Sequence, residues 1–101
     1  MIIYNVTAKV NAVIHDEWMQ WQRSEHIPEI MSSGCFLRFS ILRLMETDDN
    51  DGPTYAIQYF ANSKADYNRY IELFAPALRR KAIEKWGDQF VAFRSLMEVV
   101  Q

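Results

Sequence analysis

Apolar residues recur along this chain at two spacings. At every second position they mark strands, and at helical spacing they mark helices. Alternation runs from about Ile2 to Val10, with Tyr4, Val6, Ala8 and Val10 on one face and Ile3, Asn5, Thr7 and Lys9 on the other. It returns at about Phe36–Met45, at about Thr54–Ala61 and at about Phe90–Val100. Between the first two stretches, from about His15, the residues Ile14, Trp18 and Trp21 form a stripe at i, i+4, i+7. After Ser63 a second helical stripe runs through Tyr67, Tyr70, Ile71, Phe74 and Leu78, and Ile83 and Trp86 carry it on. The order is βαββαβ.

Each helix contains a proline. Pro28 cannot donate to the Ser24 carbonyl and disfavours helical geometry at Ile27, so a kink or break is expected at His26-Ile27-Pro28. Ile30 and Met31 continue the apolar surface, and Gly34 stops the segment. Ser63 is the expected N-cap of the second helix, with Asp66 three residues on. Pro76 should bend or split that helix, and Gly87 should end it. Asp, Asn, Gly and Pro make the segment from Glu46 to Pro53 a turn.

Two helices can cover only one face of a four-stranded sheet. We place Tyr4, Val6, Leu37, Phe39, Ile41, Tyr55, Ile57, Tyr59, Val91, Phe93 and Met97 on the covered face. The other face then mixes Ile3, Leu42, Phe60 and Leu96 with Lys9, Arg38, Arg94 and Glu98. It is too apolar for easy exposure and too polar for a dry core. A dimer interface or a closed barrel lumen suits it, with those charges pairing. A freely exposed antiparallel face is the alternative.

At 101 residues, one domain is expected. A chain this short needs dense apolar packing or a partner, and 50% hydrophobic and 14% aromatic content supplies the first. A net charge of −2 argues against a nucleic-acid binder. The one cationic cluster, Arg79, Arg80, Lys81 and Lys85, reads as a solvated helix face near Glu72 and Glu84. Cys35 is the only cysteine, which fits a reducing compartment. With no basic n-region and no long apolar run, neither a signal peptide nor a membrane span is expected, and a cytoplasmic location follows.

The chemistry-bearing residues are few. If Gly52 took the sixth position of a calcium loop, Thr47 and Gln58 would stand at its first and twelfth, where carboxylates belong. His15 and His26 lie eleven residues apart, roughly 16 Å along an unbroken helix, too far to share a metal. No metal site is expected. There is no phosphate-binding glycine loop and no nucleophile signature. RNA modules share the βαββαβ order, but the strand Thr54–Tyr59 lacks their Lys/Arg-Gly lead. His26, beside the helix break, is the best candidate for an acid, base or ligand donor. Tyr4, Trp18, Trp21, Tyr55 and Tyr59 can line an aromatic pocket between helices and sheet. Their competing reading is plain core. Buried tyrosine hydroxyls each need a hydrogen-bond partner.

Four stretches carry a family resemblance: Met1–Val6, Glu25-His26-Ile27-Pro28-Glu29, Thr54-Tyr55 to Tyr59, and Gly87-Asp88 to Phe90–Arg94. Over nearly its whole length the chain resembles a family of short bacterial proteins known only as a domain of unknown function. That family is similar to the dimeric α/β-barrel group, whose ferredoxin-like protomers join through their open sheet faces. The group includes antibiotic-biosynthesis monooxygenases without cofactor, haem-degrading enzymes, lactone isomerases and proteins with no known activity. The resemblance implies fold and dimer, not chemistry. The Asn, Trp and His set of the haem-degrading branch is not recognisable here, since the second helix has no histidine.

The expected protomer is therefore α+β and ferredoxin-like, with antiparallel sheet order 4-1-3-2 and two helices on one face. Three functions remain open. The first is a homodimer binding a small molecule, without cofactor, through His26, Trp21, Tyr4, Tyr55 and Tyr59. The second is a cofactor-independent monooxygenase-, cyclase- or isomerase-like enzyme with His26 as general acid or base. The third is a structural dimer with no ligand.

Overall fold

The centre of the molecule is β1 (Ile2–Val10), which pairs on both sides. Its nine residues alternate as the pattern predicts, and Ile2, Tyr4, Ala8 and Val10 are buried. The computed structural model describes residues 1–101. On one side of β1 lies β3 (Thr54–Ala61), followed by β2 (Arg38–Arg43). On the other side lies β4 (Phe90–Glu98). All pairings are antiparallel and the order is β2-β3-β1-β4, the expected one. This is the ferredoxin-like arrangement. β2 is shorter than the apolar alternation suggested. Leu37 and Leu44 each still send an N–H to β3 beyond its ends.

The first helical segment comprises α1 (His15–Trp21), a π-helical turn over Gln22–His26, and α2 (Ile27–Met31). The second comprises α3 (Lys64–Leu73) and α4 (Ala75–Trp86), meeting at Phe74. Ser63 caps α3 by accepting the Asp66 N–H. Pro76 opens α4, where a missing N–H is harmless, so the proline splits the helix as expected. Gly87 ends α4 with φ of 59°, a conformation that suits glycine. All four helices lie on one face of the sheet. The molecule is 38 × 32 × 19 Å, the short dimension being one sheet and one helix layer. No helix is long and apolar enough to cross a membrane.

The core joins Trp18, Trp21, Ile27 and Ile30 of the first segment to Tyr4, Val10, Ile57 and Tyr59 of the sheet. Tyr70, Ala75, Leu78, Ala82 and Trp86 close it from the second segment. Ile83 is an exception to the predicted stripe. It is exposed, because Leu78, Ala82 and Trp86 at i, i+4, i+8 define the buried line and Ile83 falls off it.

The faces of β4 are the reverse of the sequence expectation. Its register pairs Val10 with Phe90, Ala8 with Ala92, Val6 with Arg94 and Tyr4 with Leu96. Ala92, Arg94, Leu96 and Glu98 therefore share the helix-covered side with Tyr4, while Val91, Phe93 and Met97 stand on the open face. Hydrophobicity misleads here because the open face is itself apolar. Arg94 and Glu98 consequently do not face Lys9 and Arg38. Lys9 bonds the Asp48 carbonyl instead, and the Arg38 guanidinium lies 3.7 Å from the Phe60 ring centre.

The acidic turn before β3 is held against the end of β1. Pro53 and Asp51 carbonyls accept from Val10 and Ala12. Gly52, with φ of +140°, lies so close to the Val10 carbonyl that any β-carbon would overlap it. Asp49 is taken by Arg43 at 2.8 Å and by Thr47 at 2.7 Å.

Candidate functional site

The π-helical turn sets the geometry of the site. Its ladder reaches five residues back, so Ile27 donates to the Gln22 carbonyl. Relative to an α-helix, one residue is inserted. The insertion re-phases the apolar stripe. Ile27 follows Trp18 by nine residues, about 180° round an unbroken α-helix at ~100° per residue. With one residue absorbed in the π turn the separation falls to about 80°. Ile27 and Ile30 thereby join Trp18 and Trp21 in the core. Pro28 follows at once, where its missing N–H costs least.

The same turn brings His26 round over Trp21. Their rings stack at 4.5 Å between centroids and 18° between planes. His26 thus stands between two spaces. Outside is a charged groove of about 360 Å³ flanked by Glu25, Glu29, Lys81 and Glu84. Inside is a cavity of about 40 Å³ between helices and sheet. Burial lowers the His26 pKa to about 4. Glu29 opposes that shift, and Arg94 and Lys81 add to it. The imidazole is therefore neutral at pH 7. Glu29 is engaged by Lys81 at 2.9 Å.

The inner cavity has aromatic and aliphatic walls from every layer. β1 gives Tyr4 and Val6, β3 gives Ile57 and Tyr59, and α3 gives Tyr70. Tyr4 is the hub, with Tyr59, Tyr70 and Phe36 rings 5.8–6.1 Å away. Burial raises the Tyr59 and Tyr70 pKa values well above the ordinary phenol range, so both remain protonated hydroxyls. The Tyr4 hydroxyl accepts from two cations. Arg79 Nη2 of α4 and Arg94 Nε of β4 both lie 3.1 Å from it. Arg79 Nε is buried and has no hydrogen-bond partner in the protein.

Of the residues singled out from the sequence, Tyr4, Tyr59 and His26 meet at this cavity. Trp21 lies on the groove side of His26. Trp18 is fully buried against Tyr55 and Phe90 and reaches no cavity. Tyr55 is also elsewhere. Its hydroxyl is 2.6 Å from His15 Nε2, and His15 Nδ1 is 3.0 Å from Asp16. Sequence reasoning missed Tyr70, Arg79 and Arg94 as members of the site. Arg79 was absorbed into the solvated cationic cluster, but only Arg80, Lys81 and Lys85 behave that way. A usable signal existed: Arg79 precedes buried Ala82 by three positions and so borders the apolar stripe. No three His, Cys, Asp or Glu side chains are placed to hold a metal.

The fold and the cavity define a ferredoxin-like α+β protein with a polar-tipped hollow beneath its helices. Solved structures share this fold at low identity. A dimeric ferredoxin-like protein from an uncultured marine organism is 17% identical, with a TM-score of 0.68, over 99% of this chain and 95% of that one. A mutant of MhuD, with two manganese protoporphyrin IX bound per active site, is 18% identical with a TM-score of 0.70, over 100% and 96%. An ethyl tert-butyl ether d family protein from Bacillus halodurans is 9% identical with a TM-score of 0.66, over 99% and 100%. No curated protein matches by sequence. Residues 1–100 match the family model described as a domain of unknown function, DUF4286, and the chain belongs to that family.

Proposed function

We propose that this protein is a homodimer, joined through its open sheet faces, that binds a small molecule in the cavity between helices and sheet. One observation carries the reading: hydroxyl, imidazole and guanidinium groups from six elements converge on a hollow whose remaining walls are apolar. A few convergent polar groups in an apolar enclosure are the usual make-up of a ligand site. The dimer is supported by Val91, Phe93, Met97 and Leu42, which stand 38–70% exposed on the uncovered face. It is supported also by the dimeric neighbour of the same fold.

Porphyrin, which the MhuD mutant binds, does not fit the residues present here. A pocket for a ligand of that class spans at least roughly 300 Å³, against about 40 Å³ here. The one histidine at the cavity is stacked on Trp21.

Native mass spectrometry of the purified protein tests the proposal. The expected spectrum is a dimer carrying the extra mass of a small molecule. A spectrum of bare monomers would overturn both halves of it.

A second reading, an enzyme using neither metal nor organic cofactor, is favoured by the place of His26. A neutral imidazole at the junction of groove and cavity presents a ring nitrogen to a bound metabolite, and a ligand carboxylate that offsets its burial would raise its basicity. In that case His26→Ala abolishes turnover; in the binding reading it only weakens affinity.

A further inference from the structure

We infer that the ligand is a small monocarboxylate, its carboxylate held by Arg79, Arg94 and the Tyr4 hydroxyl and its short apolar tail in the cavity. The inference rests on the cavity being a ligand site, as proposed above, and names the chemistry that site selects.

Two guanidinium groups meet at one phenol oxygen, each 3.1 Å from it. Neither forms a salt bridge, and no Asp or Glu lines the cavity. Like charges gathered without a carboxylate repel one another, and an anion between them removes that repulsion. Donor capacity is in surplus. Each guanidinium carries five N–H donors and no acceptor, and Tyr4 uses only one bond from each. Arg79 Nε is buried with no partner at all. The Tyr4 oxygen already accepts twice, so its own proton is directed away, toward a further acceptor. His26 is neutral, as are the Tyr59 and Tyr70 hydroxyls, and none of them offsets the cations.

Size and wall chemistry narrow the anion. Arginine forks match the two oxygens of a carboxylate. About 40 Å³ between Val6, Ile57 and Leu78 takes a chain of only a few carbons. A phosphate brings more charge and more oxygens than two forks and one hydroxyl satisfy, and it leaves the aliphatic walls without a partner.

Nuclear magnetic resonance titration of the full-length protein with propionate, propionamide and inorganic phosphate tests this. Propionate should shift the side-chain N–H signals of Arg79 and Arg94. It should bind about tenfold or more tightly than its neutral amide, the range expected for charge-assisted hydrogen bonds. Arg94→Gln, at a largely exposed position, should erase that preference while the spectrum stays that of a folded protein. Tyr4→Phe should weaken propionate without restoring amide binding. If propionate and propionamide bind alike at the cavity, the pocket stands and the anion inference falls. If phosphate binds tenfold better than propionate, the carboxylate assignment is overturned. If none of the three perturbs the cavity residues, the inference falls together with the reading it rests on.

Discussion

His26 couples the site to pH through its own burial. Its pKa is about 4 in the folded protein, against 6.5 for a free imidazole. As pH falls below about 6.5 the unfolded chain takes up a proton that the folded chain refuses, so stability falls until pH reaches about 4. The contribution over that window is roughly 3 kcal/mol. His26→Gln cannot titrate, so the difference in urea unfolding free energy between pH 7 and pH 4.5 should shrink by about that amount. Equal pH dependence in the two proteins would mean that His26 is solvated. Arg79 is a residue whose place composition conceals. It neighbours three cationic residues in sequence or on the helix, and sequence composition alone places all four in water. Only the three-residue spacing to Ala82 separates the inward one from its neighbours.

At the scale of elements, the π-helical turn decides what the first helix can bury. It behaves as one inserted residue, so deleting Ser24 should restore a plain α-helix without moving Trp18, Trp21, Ile27 or Ile30 off the core face. His26 then follows Trp21 by four residues on a plain α-helix and keeps its place over the indole. In the deletion variant its proton titration, followed by nuclear magnetic resonance, should stay near 4, with helical circular dichroism unchanged. A pKa that returns toward 6.5 would show that the turn does more than absorb one residue.

Much of the element order was legible because period two and period 3.6 are strong signals. Pro28, Pro76, Gly34 and Gly87 punctuate them where backbone chemistry requires. The π turn left only a faint trace, an apolar stripe out of phase with itself between Trp21 and Ile27. The faces of β4 were illegible for a different reason. Alternation gives the two sets but not which one points inward, and only pairing with β1 settles that. With that face inverted, alternation alone puts Arg94 on the wrong side of the sheet. The Tyr4, Tyr59 and His26 part of the candidate site was readable, and its cationic half was not.

For the molecule as a whole, the inversion makes the open face more apolar than composition suggested. Phe93 is 70% exposed there and Val91 55%. Phe93→Glu should place two like charges in a sheet-to-sheet interface and shift the protein to monomer in analytical ultracentrifugation. The loss of helix-side packing should be negligible, since the residue faces away from the helices. A dimer unchanged in that variant would locate the contact elsewhere on the surface.

β4 is also an outer strand, since the order β2-β3-β1-β4 leaves one of its sides without a neighbour. It is nine residues long, with a glutamate only at its far end and an arginine on its helix side. Natural sheets usually guard such edges with lysines, prolines or bulges. Here the strand combines free backbone donors and acceptors with the most exposed aromatic ring of the molecule. The protomer by itself is therefore a template for fibril-like growth, and masking of this edge and face would govern its solubility. Growth at the edge needs encounter between unmasked copies, so it would be fastest where chains are made faster than they pair.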